Sequence, residues 1–393
     1  MNIHIYPSVF THESRILKIV RTLRRNSVFL NITVIALWKE GLPNREVIED
    51  GVEVIRVSPL FGGSMYGKIG KVAKVLGWYL GVLLAFRGKT ITCFNCHSLP
   101  VLPLAILVKC WKRCALVYEP HELETQTVSL PDWARPMARG VEWALIRFAD
   151  AVCLVNQSIS QWYVNAYRLK CVWVVKNVPY RDEGAPVRTG LLRSAIGLNA
   201  DAQLFLYQGG LVPGRGVELL LDVFSQVSPE KHLVFMGYGV LESLIKESAL
   251  KRPNVHFIRA VPPERVKDYT VDADVGLSII ENACLSYYLC LPNKVFEYAA
   301  CGVPSVVSAF PEMGRFVDES NCGWKIQPDA AALRKLIDTM TQEVIATKRA
   351  NTGQASWQYC WQQEEKALLA MYQTLGLFVQ QRSTAQIDLT ERT

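Results

Sequence analysis

The sequence predicts an α/β protein with two doubly wound parallel sheets. Short β-branched and aliphatic runs alternate with helical patterns, which is typical of parallel sheets covered by helices on both faces. The alternation occurs in two series, separated at residues 178–190 by a stretch rich in Pro, Gly and charge. The chain has 393 residues, half of them hydrophobic and a fifth charged, which suffices for two large cores. Two such halves facing one another predict a ligand in the cleft at the carboxyl ends of the strands.

The first half, residues 1–178, is predicted to form one Rossmann-like domain, followed by a linker over residues 179–200. Its apolar runs are mostly unalternating, which suits strands buried on both faces. The predicted strands cover residues 2–6, 32–38, 52–57, 90–96, 115–120, 151–156 and 172–177, and clear helical patterns cover 14–25 and 133–148.

The second half, residues 201–355, is predicted to form another Rossmann-like domain. Its predicted strands cover residues 204–210, 232–237, 254–259, 275–280 and 322–327, and its helices cover 217–227, 241–251, 264–269 and a tract from 329. A long amphipathic helix is predicted within residues 356–376, and a frayed polar tail over 377–393.

One segment of the second half, residues 275–308, combines a buried strand, a polar and aromatic loop, a short helix and a second strand. Pro292 suits the first helical turn and Gly302 the position just after the helix, so the helix is predicted to be brief. Asn293 and Glu297 lie four residues apart on one helical face, beside Lys294. This arrangement predicts a polar ligand above the strand ends.

A glycine-rich loop follows the first strand of the second half, over residues 209–216. Gly209 and Gly210 allow backbone N–H groups to turn toward an anion, and Arg215 can form a forked contact with phosphate oxygens. The loop therefore predicts a pyrophosphate-binding site. It departs from a Walker A loop, because Arg replaces the lysine and Gly216 replaces the Ser or Thr that holds magnesium. A glycine-rich turn without a ligand is the structural alternative.

A second glycine pair, Gly237 and Gly239, flanks Tyr238 at the next junction between a strand and a helix. A nucleotide can approach the backbone closely at such a position. The dinucleotide-binding pattern is incomplete, since Glu242 stands where its third glycine belongs. Gly237 and Tyr238 are therefore supporting candidates for a donor-binding site.

Two polar clusters follow strands of the first half. His121 and Glu122 come directly after the strand at 115–120, where a histidine can contact a sugar hydroxyl or a reacting group; the alternative is a structural histidine. His12, Glu13 and Arg15 follow the first strand as a cluster that is a candidate for binding an acceptor, as Glu122 is. Alternatively, the cluster around His12 caps the helix that begins near Ser14.

Eleven cysteines are scattered through predicted strands and helices, which favours reduced, buried thiols in a cytoplasmic protein. Cys93, Cys96 and His97 match the C-x-x-C-H pattern of haem attachment, but Cys93 falls inside a predicted core strand. Zinc held by Cys93, Cys96, Cys110 and Cys114 has poor spacing. Structural cysteines are the preferred interpretation.

The net charge of +7 favours an anionic partner such as a phosphorylated ligand or a membrane surface. No groove-reading motif supports nucleic-acid binding. The apolar run at 75–86 is too short to span a bilayer, and the amino terminus lacks the pattern of a secretory signal. Basic residues recur around this run, together with Trp78 and Tyr79. The segment Lys68–Lys89 is thus either an interfacial membrane helix or a core helix with a solvated basic face.

Seven motifs occur in order along the chain: YEPHELE, the E-x-x-x-x-R-x-A-D tract at 142–150, VVKNVP, YQGGLVPGRG, MGYG, LPNKVFEYAACGVPSVVS, and the terminal SWQ and LLAMY stretches. Together they resemble the family 4 glycosyltransferases of the GT-B fold, in particular those of bacterial capsule, O-antigen and exopolysaccharide assembly. The resemblance covers nearly the whole chain.

The resemblance implies a retaining, hexosyltransferase-type enzyme that takes a sugar from a UDP- or GDP-linked donor and requires no metal. It implies an acceptor-side first domain, a donor-binding second domain, and a final helix that crosses back onto the first domain. Carried over by position, Arg215 neutralises the diphosphate and Gly210 approaches it closely. Glu297 binds the ribose hydroxyls, and His121 contacts the transferring sugar.

This sequence departs from the family pattern at one position. Members usually carry two glutamates separated by seven residues, and Leu289 stands where the first one belongs. Either Glu281 takes that role across a longer loop, or backbone groups near Tyr287, Tyr288 and Asn293 hold the sugar. The departure bears on the identity of the donor sugar.

The predicted function is therefore transfer of a sugar to a lipid-linked oligosaccharide in surface polysaccharide biosynthesis. The enzyme is expected in the cytoplasm, peripheral to the inner face of the plasma membrane. The alternatives are a nucleotide-sugar epimerase of the same fold and a non-catalytic assembly subunit that binds membrane through residues 68–89. A haem or redox protein is a remote further alternative.

Overall fold

Runs of aliphatic and β-branched residues form the strands of two sheets in the computed structural model. The structure describes residues 1–11, 13–61, 67–199 and 202–378. The described residues pack into two compact units. The first contains Met1–Tyr118, Phe148–Ala151 and the described part of Leu368–Thr393, and the second contains Glu119–Arg147 and Val152–Ala367. The predicted domain limits and linker stay predictions.

The first sheet has eight strands: β1 (Asn2–Ile5), β2 (Ile32–Leu37), β3 (Arg45–Glu49), β4 (Val52–Val57), β5 (Cys93–Cys96), β6 (Ala115–Tyr118), β7 (Ala151–Leu154) and β8 (Trp173–Val174). Their order is β3-β4-β2-β1-β5-β6-β7-β8. Every predicted strand is present, although β5, β6, β7 and β8 are clearly shorter than predicted. The pattern missed β3, which is exposed, polar and antiparallel to β4, because a strand at the edge of a sheet needs no apolar run.

The second sheet has six strands: β9 (Gln203–Gly210), β10 (Lys231–Tyr238), β11 (Val255–Arg259), β12 (Val275–Ser278), β13 (Ser305–Ser308) and β14 (Gly323–Ile326). They are parallel, in the order β11-β10-β9-β12-β13-β14. Side chains of β9 alternate between two cores: Phe205 and Tyr207 pack on one face, and Leu204 and Leu206 on the other. Burial on both faces explains the unalternating apolar runs in the sequence.

Sixteen α-helices lie within the described residues. They are α1 (Ser14–Arg25), α2 (Gly67–Ala85), α3 (Leu102–Lys112), α4 (Arg135–Ile146), α5 (Gln157–Tyr167), α6 (Leu191–Ala195), α7 (Val217–Phe224), α8 (Glu242–Lys251), α9 (Val266–Thr270), α10 (Leu285–Tyr288), α11 (Asn293–Ala300), α12 (Pro311–Ser320), α13 (Ala330–Thr339), α14 (Gln342–Arg349), α15 (Thr352–Gln358) and α16 (Trp361–Thr374). None of them is long and apolar enough to cross a membrane.

The predicted terminal helix is two helices, α15 and α16, with a break at Tyr359 and Cys360. The break brings the N–H of Trp361 to the carbonyl oxygen of Pro179 at 2.8 Å and buries the indole completely. A period of 3.6 residues continues across the break, so the pattern alone did not reveal it.

The two ends of α16 pack in different units. Up to Ala367 it belongs to the second unit, where Glu364 accepts a 2.7 Å hydrogen bond from the N–H of Lys176. From Leu368 it belongs to the first unit, where the hydroxyl of Tyr372 lies 2.5 Å from Nδ2 of Asn95. The expectation that the final helix returns to the amino-terminal part is confirmed.

Candidate active site

The candidate site lies in the second unit, at the point where the strand order reverses. From β9 the chain proceeds to β10 and β11 on one side, and from β12 it proceeds to β13 and β14 on the other. The loops that follow β9 and β12 therefore diverge, which opens a crevice at the carboxyl ends of these neighbouring strands. The glycine-rich loop follows β9, and the aromatic loop before α11 follows β12.

The glycine-rich loop needs glycine for steric reasons. Gly209 and Gly216 have φ values of +112° and +78°, and a Cβ on Gly216 would lie 2.6 Å from the carbonyl oxygen of Ile279. The N–H of Glu281 donates to the carbonyl oxygen of Gly214 at 3.0 Å, which ties the loop to the chain after β12. Gly210 is exposed and has open space where a side chain would be. A ligand can approach the backbone there.

Two basic side chains flank this loop. The guanidinium carbon of Arg215 lies 4.1 Å from the centroid of the Tyr287 ring, and Nζ of Lys294 lies 3.6 Å from that of Tyr207. Cε of Lys294 is 3.9 Å from the position of a Cβ on Gly209. Aromatic faces hold both cations beside the exposed backbone of the loop.

The surroundings of Lys294 disfavour its positive charge. Its pKa is lowered to about 7, because burial disfavours the charged ammonium and Arg215 repels it, while Glu297 acts in the opposite direction. The residue also lies in the first turn of α11, where the helix dipole disfavours a cation. A bound diphosphate would relieve both repulsions.

Glu297 lies one helical turn after Asn293, and a neighbouring strand residue orients it. Nε2 of Gln208 donates to Oε2 of Glu297 at 2.6 Å, and the hydroxyl of Thr270 donates to Oε1 of Gln208 at 2.7 Å. The sequence reasoning missed Gln208. The available signal was a polar residue in the otherwise apolar β9, directly before the glycine-rich loop.

Helix α11 is anchored to β9 by Tyr298. Its hydroxyl donates to the carbonyl oxygen of Leu206 at 2.9 Å and accepts from the N–H of Gln208 at 3.1 Å. A Cβ on Gly276 would lie 2.4 Å from the tyrosine ring, which explains a glycine in the middle of β12. The sequence placed Pro292 in the first turn of the helix, whereas it is the N-cap residue, one position earlier. Gly302 follows the helix with a φ of +70°, as predicted.

The loop between β12 and α11 holds the position where the family pattern is broken. The carbonyl oxygen of Leu289 accepts a 2.8 Å hydrogen bond from Nδ2 of Asn156. Glu281 is half-buried beside Gly214, and Tyr288 packs against Phe310 with ring centroids 5.0 Å apart. Among the residues suggested to replace the missing glutamate, Glu281 supplies a carboxylate, and its backbone is bound to the glycine-rich loop.

Glu122 contacts the same loop through its side chain. Its Oε2 lies 3.2 Å from the hydroxyl of Ser286, which donates to it, and His121 precedes it and is half-buried. Nearby, burial raises the pKa of Cys290 to about 12. This thiol is therefore protonated at neutral pH and is no nucleophile.

The second glycine pair has a packing explanation. A Cβ on Gly237 would lie 1.9 Å from the carbonyl oxygen of Gly209, and one on Gly239 would lie 2.2 Å from that of Leu211. Strand pairing thus requires Gly237, and the close approach of Leu211 requires Gly239, with or without a ligand. Tyr238 pairs with Gly210 in the sheet and is 67% exposed, which leaves its ring at the rim of the loop.

The predicted acceptor-side cluster lies in the first unit. His12 is outside the described residues. Arg15 is buried in α1. Glu13 is the N-cap residue of α1 but makes no capping hydrogen bond with its side chain, which accepts from the hydroxyl of Ser8 instead. The capping alternative is therefore wrong for the Glu13 carboxylate.

None of the eleven cysteines forms a disulfide. Within the described residues, Cys93, Cys96, Cys110 and Cys114 do not form a group of metal ligands. His97 lies in the first unit with its Nε2 2.8 Å from Nδ1 of His4. Burial lowers the pKa of His4 to about 3, so this histidine is neutral. The structural interpretation of the C-x-x-C-H stretch agrees with this packing.

Comparisons with known proteins agree with this architecture. Residues 202–343 match the family model described as Glycosyl transferases group 1, whereas no curated protein sequence matches the chain. Sucrose-phosphate synthase from Thermosynechococcus elongatus is 16% identical, with a TM-score of 0.78 over 95% of this chain and 98% of that one. HepE from Anabaena, solved with UDP-glucose, is 16% identical, with a TM-score of 0.69 over 95% and 99%. WaaG, a glycosyltransferase involved in lipopolysaccharide biosynthesis, is 15% identical, with a TM-score of 0.65 over 93% and 98%.

The fold defines the class of protein as GT-B, with two parallel-sheet α/β domains, as the sequence predicted. Residues 202–343, which match the Glycosyl transferases group 1 model, lie in the second unit and include the candidate site.

Proposed function

We propose that the protein is a retaining glycosyltransferase whose donor is a nucleoside-diphosphate sugar, with UDP preferred to GDP. The observation that carries the proposal is the pair Arg215 and Lys294 beside the exposed backbone of Gly209 and Gly210 at the strand-order reversal. Two cations beside an exposed glycine backbone match the charge of a diphosphate. The structural likeness to HepE, which was solved with UDP-glucose, supports a uridine nucleotide.

In the proposed reaction the bond between the anomeric carbon and the diphosphate oxygen breaks, and its electron pair passes to that oxygen. Arg215 and Lys294 stabilise the charge that develops there. The acceptor hydroxyl forms the new glycosidic bond on the same face of the sugar, and its proton passes to the leaving phosphate. This route requires no protein nucleophile.

The remaining site residues receive roles from their positions. Glu297, oriented by Gln208, binds the ribose hydroxyls of the donor. His121 contacts the transferring sugar, and Glu281 takes the place of the missing first glutamate. Gly237 and Tyr238 border the nucleotide, with the tyrosine ring available for stacking. The acceptor-side roles of His12, Arg15 and Glu122 belong to the same proposal.

We further propose a lipid-linked oligosaccharide as acceptor and a surface polysaccharide as product, with the enzyme peripheral to the cytoplasmic face of the membrane. The likeness to WaaG supports this proposal. So does helix α2, whose outward face is apolar as well as basic. Its exposed apolar residues are Ile69, Val72, Val75, Leu76, Leu80 and Leu84, with Lys71 and Lys74 exposed among them. The side chain of Lys68 lies outside the described part of the chain.

The inner face of α2 corrects one expectation. Trp78, which one of the two interpretations of this segment placed in a membrane interface, is 4% exposed and belongs to the core. Gly77 allows a close approach to Phe61, since a Cβ there would lie 2.8 Å from the Phe61 carbonyl oxygen. The proposed membrane contact therefore uses the outward aliphatic residues and lysines.

The test is sugar transfer from radiolabelled nucleotide sugars by the wild type, Arg215→Ala and Lys294→Ala, with Lys246→Ala as the control. Lys246 pairs only with surface Glu242 among the ion pairs of the described residues. We expect the first two variants to lose at least about a hundredfold in kcat/KM, as for removal of one group that stabilises developing charge. Full turnover by Arg215→Ala would contradict the diphosphate assignment.

Two outcomes would favour the alternatives. Conversion of the donor sugar in the absence of any acceptor would indicate the epimerase. Failure to bind any nucleotide, measured by thermal shift, would indicate the non-catalytic subunit.

A further inference from the structure

Helix α4 and the turn before it present a row of apolar side chains to the outside of the second unit. Trp133, Met137 and Val141 follow one another at intervals of four residues, which places them along one side of the helix. They are 75%, 63% and 44% exposed. Trp143, on an adjacent side of the helix, is 51% exposed. Large apolar side chains gathered on one element in this way mark a binding surface.

The opposite face fixes the orientation of α4. Glu142 is fully buried and accepts hydrogen bonds from the hydroxyls of Tyr163 at 2.8 Å and Tyr167 at 2.6 Å. Ile146 is buried on the same side. Glu142 is the only acidic residue of α4, so its outward face carries no negative charge.

The charges that remain on the outward face are positive. The guanidinium carbon of Arg139 lies 5.3 Å from the ring centroid of Trp162, and that of Arg147 lies 4.1 Å from that of Trp143. Arg135 pairs with Asp132 at 2.7 Å. A groove of about 770 Å³ runs beside the helix, lined among others by Arg135, Arg139 and Trp143. Both arginines thus lie against indole rings at the edge of the outward face of α4.

We propose that this surface, defined by Trp133, Met137, Val141 and Trp143 with Arg139 and Arg147, docks on an anionic lipid bilayer. Exposed tryptophans beside aliphatic side chains suit the boundary between headgroups and acyl chains. Within the described part of the chain Arg135 pairs with Asp132, whereas Arg139 and Arg147 form no ion pair, and such arginines suit anionic headgroups. A second copy of the chain fits less well, because a symmetric contact would bring like charges together. The use of this docking for catalysis rests on the proposed lipid-linked acceptor, but the docking itself does not.

The experiment is co-sedimentation of the full chain with vesicles of phosphatidylcholine alone or with added phosphatidylglycerol. The double variant Trp133→Ser/Met137→Ser should partition at least about tenfold more weakly than the wild type onto the anionic vesicles. The control is Leu250→Ser in α8, a residue that is 90% exposed on another helix. It should bind as the wild type does.

A charge-reversal variant separates the contribution of the arginines to vesicle binding from that of the apolar side chains. Arg139→Glu/Arg147→Glu should abolish the preference for anionic vesicles, and the wild type should lose that preference in high salt. Lys71→Glu/Lys74→Glu measures the contribution of α2 independently. Thermal unfolding and nucleotide binding should be unchanged in the α4 variants, which confirms that they fold.

Equal vesicle binding by the wild type and Trp133→Ser/Met137→Ser would overturn the proposal, as would absence of vesicle binding by the wild type. A dimer in sedimentation velocity that this double variant abolishes, without vesicle binding, would assign the surface to a second copy instead. Vesicle binding by a protein that transfers no sugar would leave the docking intact and refute the proposed function.

Discussion

The guanidinium carbon of Arg215 lies 4.1 Å from the centroid of the Tyr287 ring. The same ring limits the space beside Gly214, whose Cβ would lie 3.2 Å from Cε2 of the tyrosine. Tyr287 thus connects the loop after β12 to the glycine-rich loop after β9. Its ring holds Arg215, the cation proposed to bind the diphosphate, in place before a ligand arrives.

Replacement of Tyr287 by alanine should weaken donor binding while leaving the fold intact. Loss of a partly buried cation–π contact costs about 0.5–2 kcal/mol, so the KM for the donor should rise roughly 2- to 30-fold. Tyr287→Phe keeps the ring and serves as the control, with a KM close to that of the wild type. Steady-state kinetics measures both. A similar loss in Phe and Ala variants would show that the hydroxyl, not the ring, matters.

Donor affinity should fall as the pH rises above about 7. The pKa of Lys294 is lowered to about 7 by burial and by Arg215, and a bound diphosphate should raise it. Binding therefore takes up a proton above pH 7, and Kd increases by up to about tenfold per pH unit. Calorimetry in buffers of different ionisation enthalpy measures this uptake. Lys294→Arg stays protonated and should give a flat profile, and a flat profile in the wild type would refute the assignment.

Gly216→Ala should destabilise the second unit. The residue has a φ of +78°, and the new Cβ would meet the carbonyl oxygen of Ile279 at 2.6 Å. Backbone strain of this kind costs about 1–3 kcal/mol before the clash is counted. Gly353→Ala is the matched control, because it lies in α15 with open space around it and should stabilise by up to about 1 kcal/mol. Chemical denaturation of both variants gives the comparison.

Glu297→Gln should reduce discrimination between ribose and deoxyribose nucleotides. The carboxylate, held by Gln208 at 2.6 Å, is proposed to accept hydrogen bonds from the ribose hydroxyls. Such bonds to a charged group contribute about 1.5–3 kcal/mol, so the wild type should bind UDP at least about tenfold more tightly than its deoxy analogues. The variant should bind them nearly equally. Gln208→Leu should show an intermediate loss, and unchanged discrimination in Glu297→Gln would place the ribose elsewhere.

Sugar transfer should continue in the presence of EDTA. Arg215 and Lys294 are proposed to supply the positive charge that a metal ion provides in other phosphate sites, and the described residues around them form no cluster of metal ligands. Initial rates with chelator, with magnesium and with manganese should agree within about a factor of two. Loss of turnover on chelation, restored by one of these metals, would contradict this prediction.

The sequence by itself determined the fold class and the centre of the candidate site. Two series of unalternating strands predicted two parallel sheets, because strands buried on both faces need apolar side chains on both. The glycines at 209 and 216 marked the loop, and the spacing of Asn293 and Glu297 marked the helix. These are local signals, which depend on backbone conformation and on neighbours within one turn.

Only the tertiary structure decided which distant residues contact the glycine-rich loop and the helix α11. Gln208 reaches Glu297, and Tyr287 lies under Arg215, through contacts that no periodicity encodes. The exposed strand β3 and the break before Trp361 also escaped the pattern, since an edge strand needs no apolar run and a helical period can continue across a kink.

The sequence alone also does not predict which large apolar side chains lie on the surface. Trp78 and Trp133 are both tryptophans in helical, partly basic stretches, yet one is 4% and the other 75% exposed. Composition cannot separate them, because burial depends on which side of a helix faces the sheet. The core packing of the fold makes that choice.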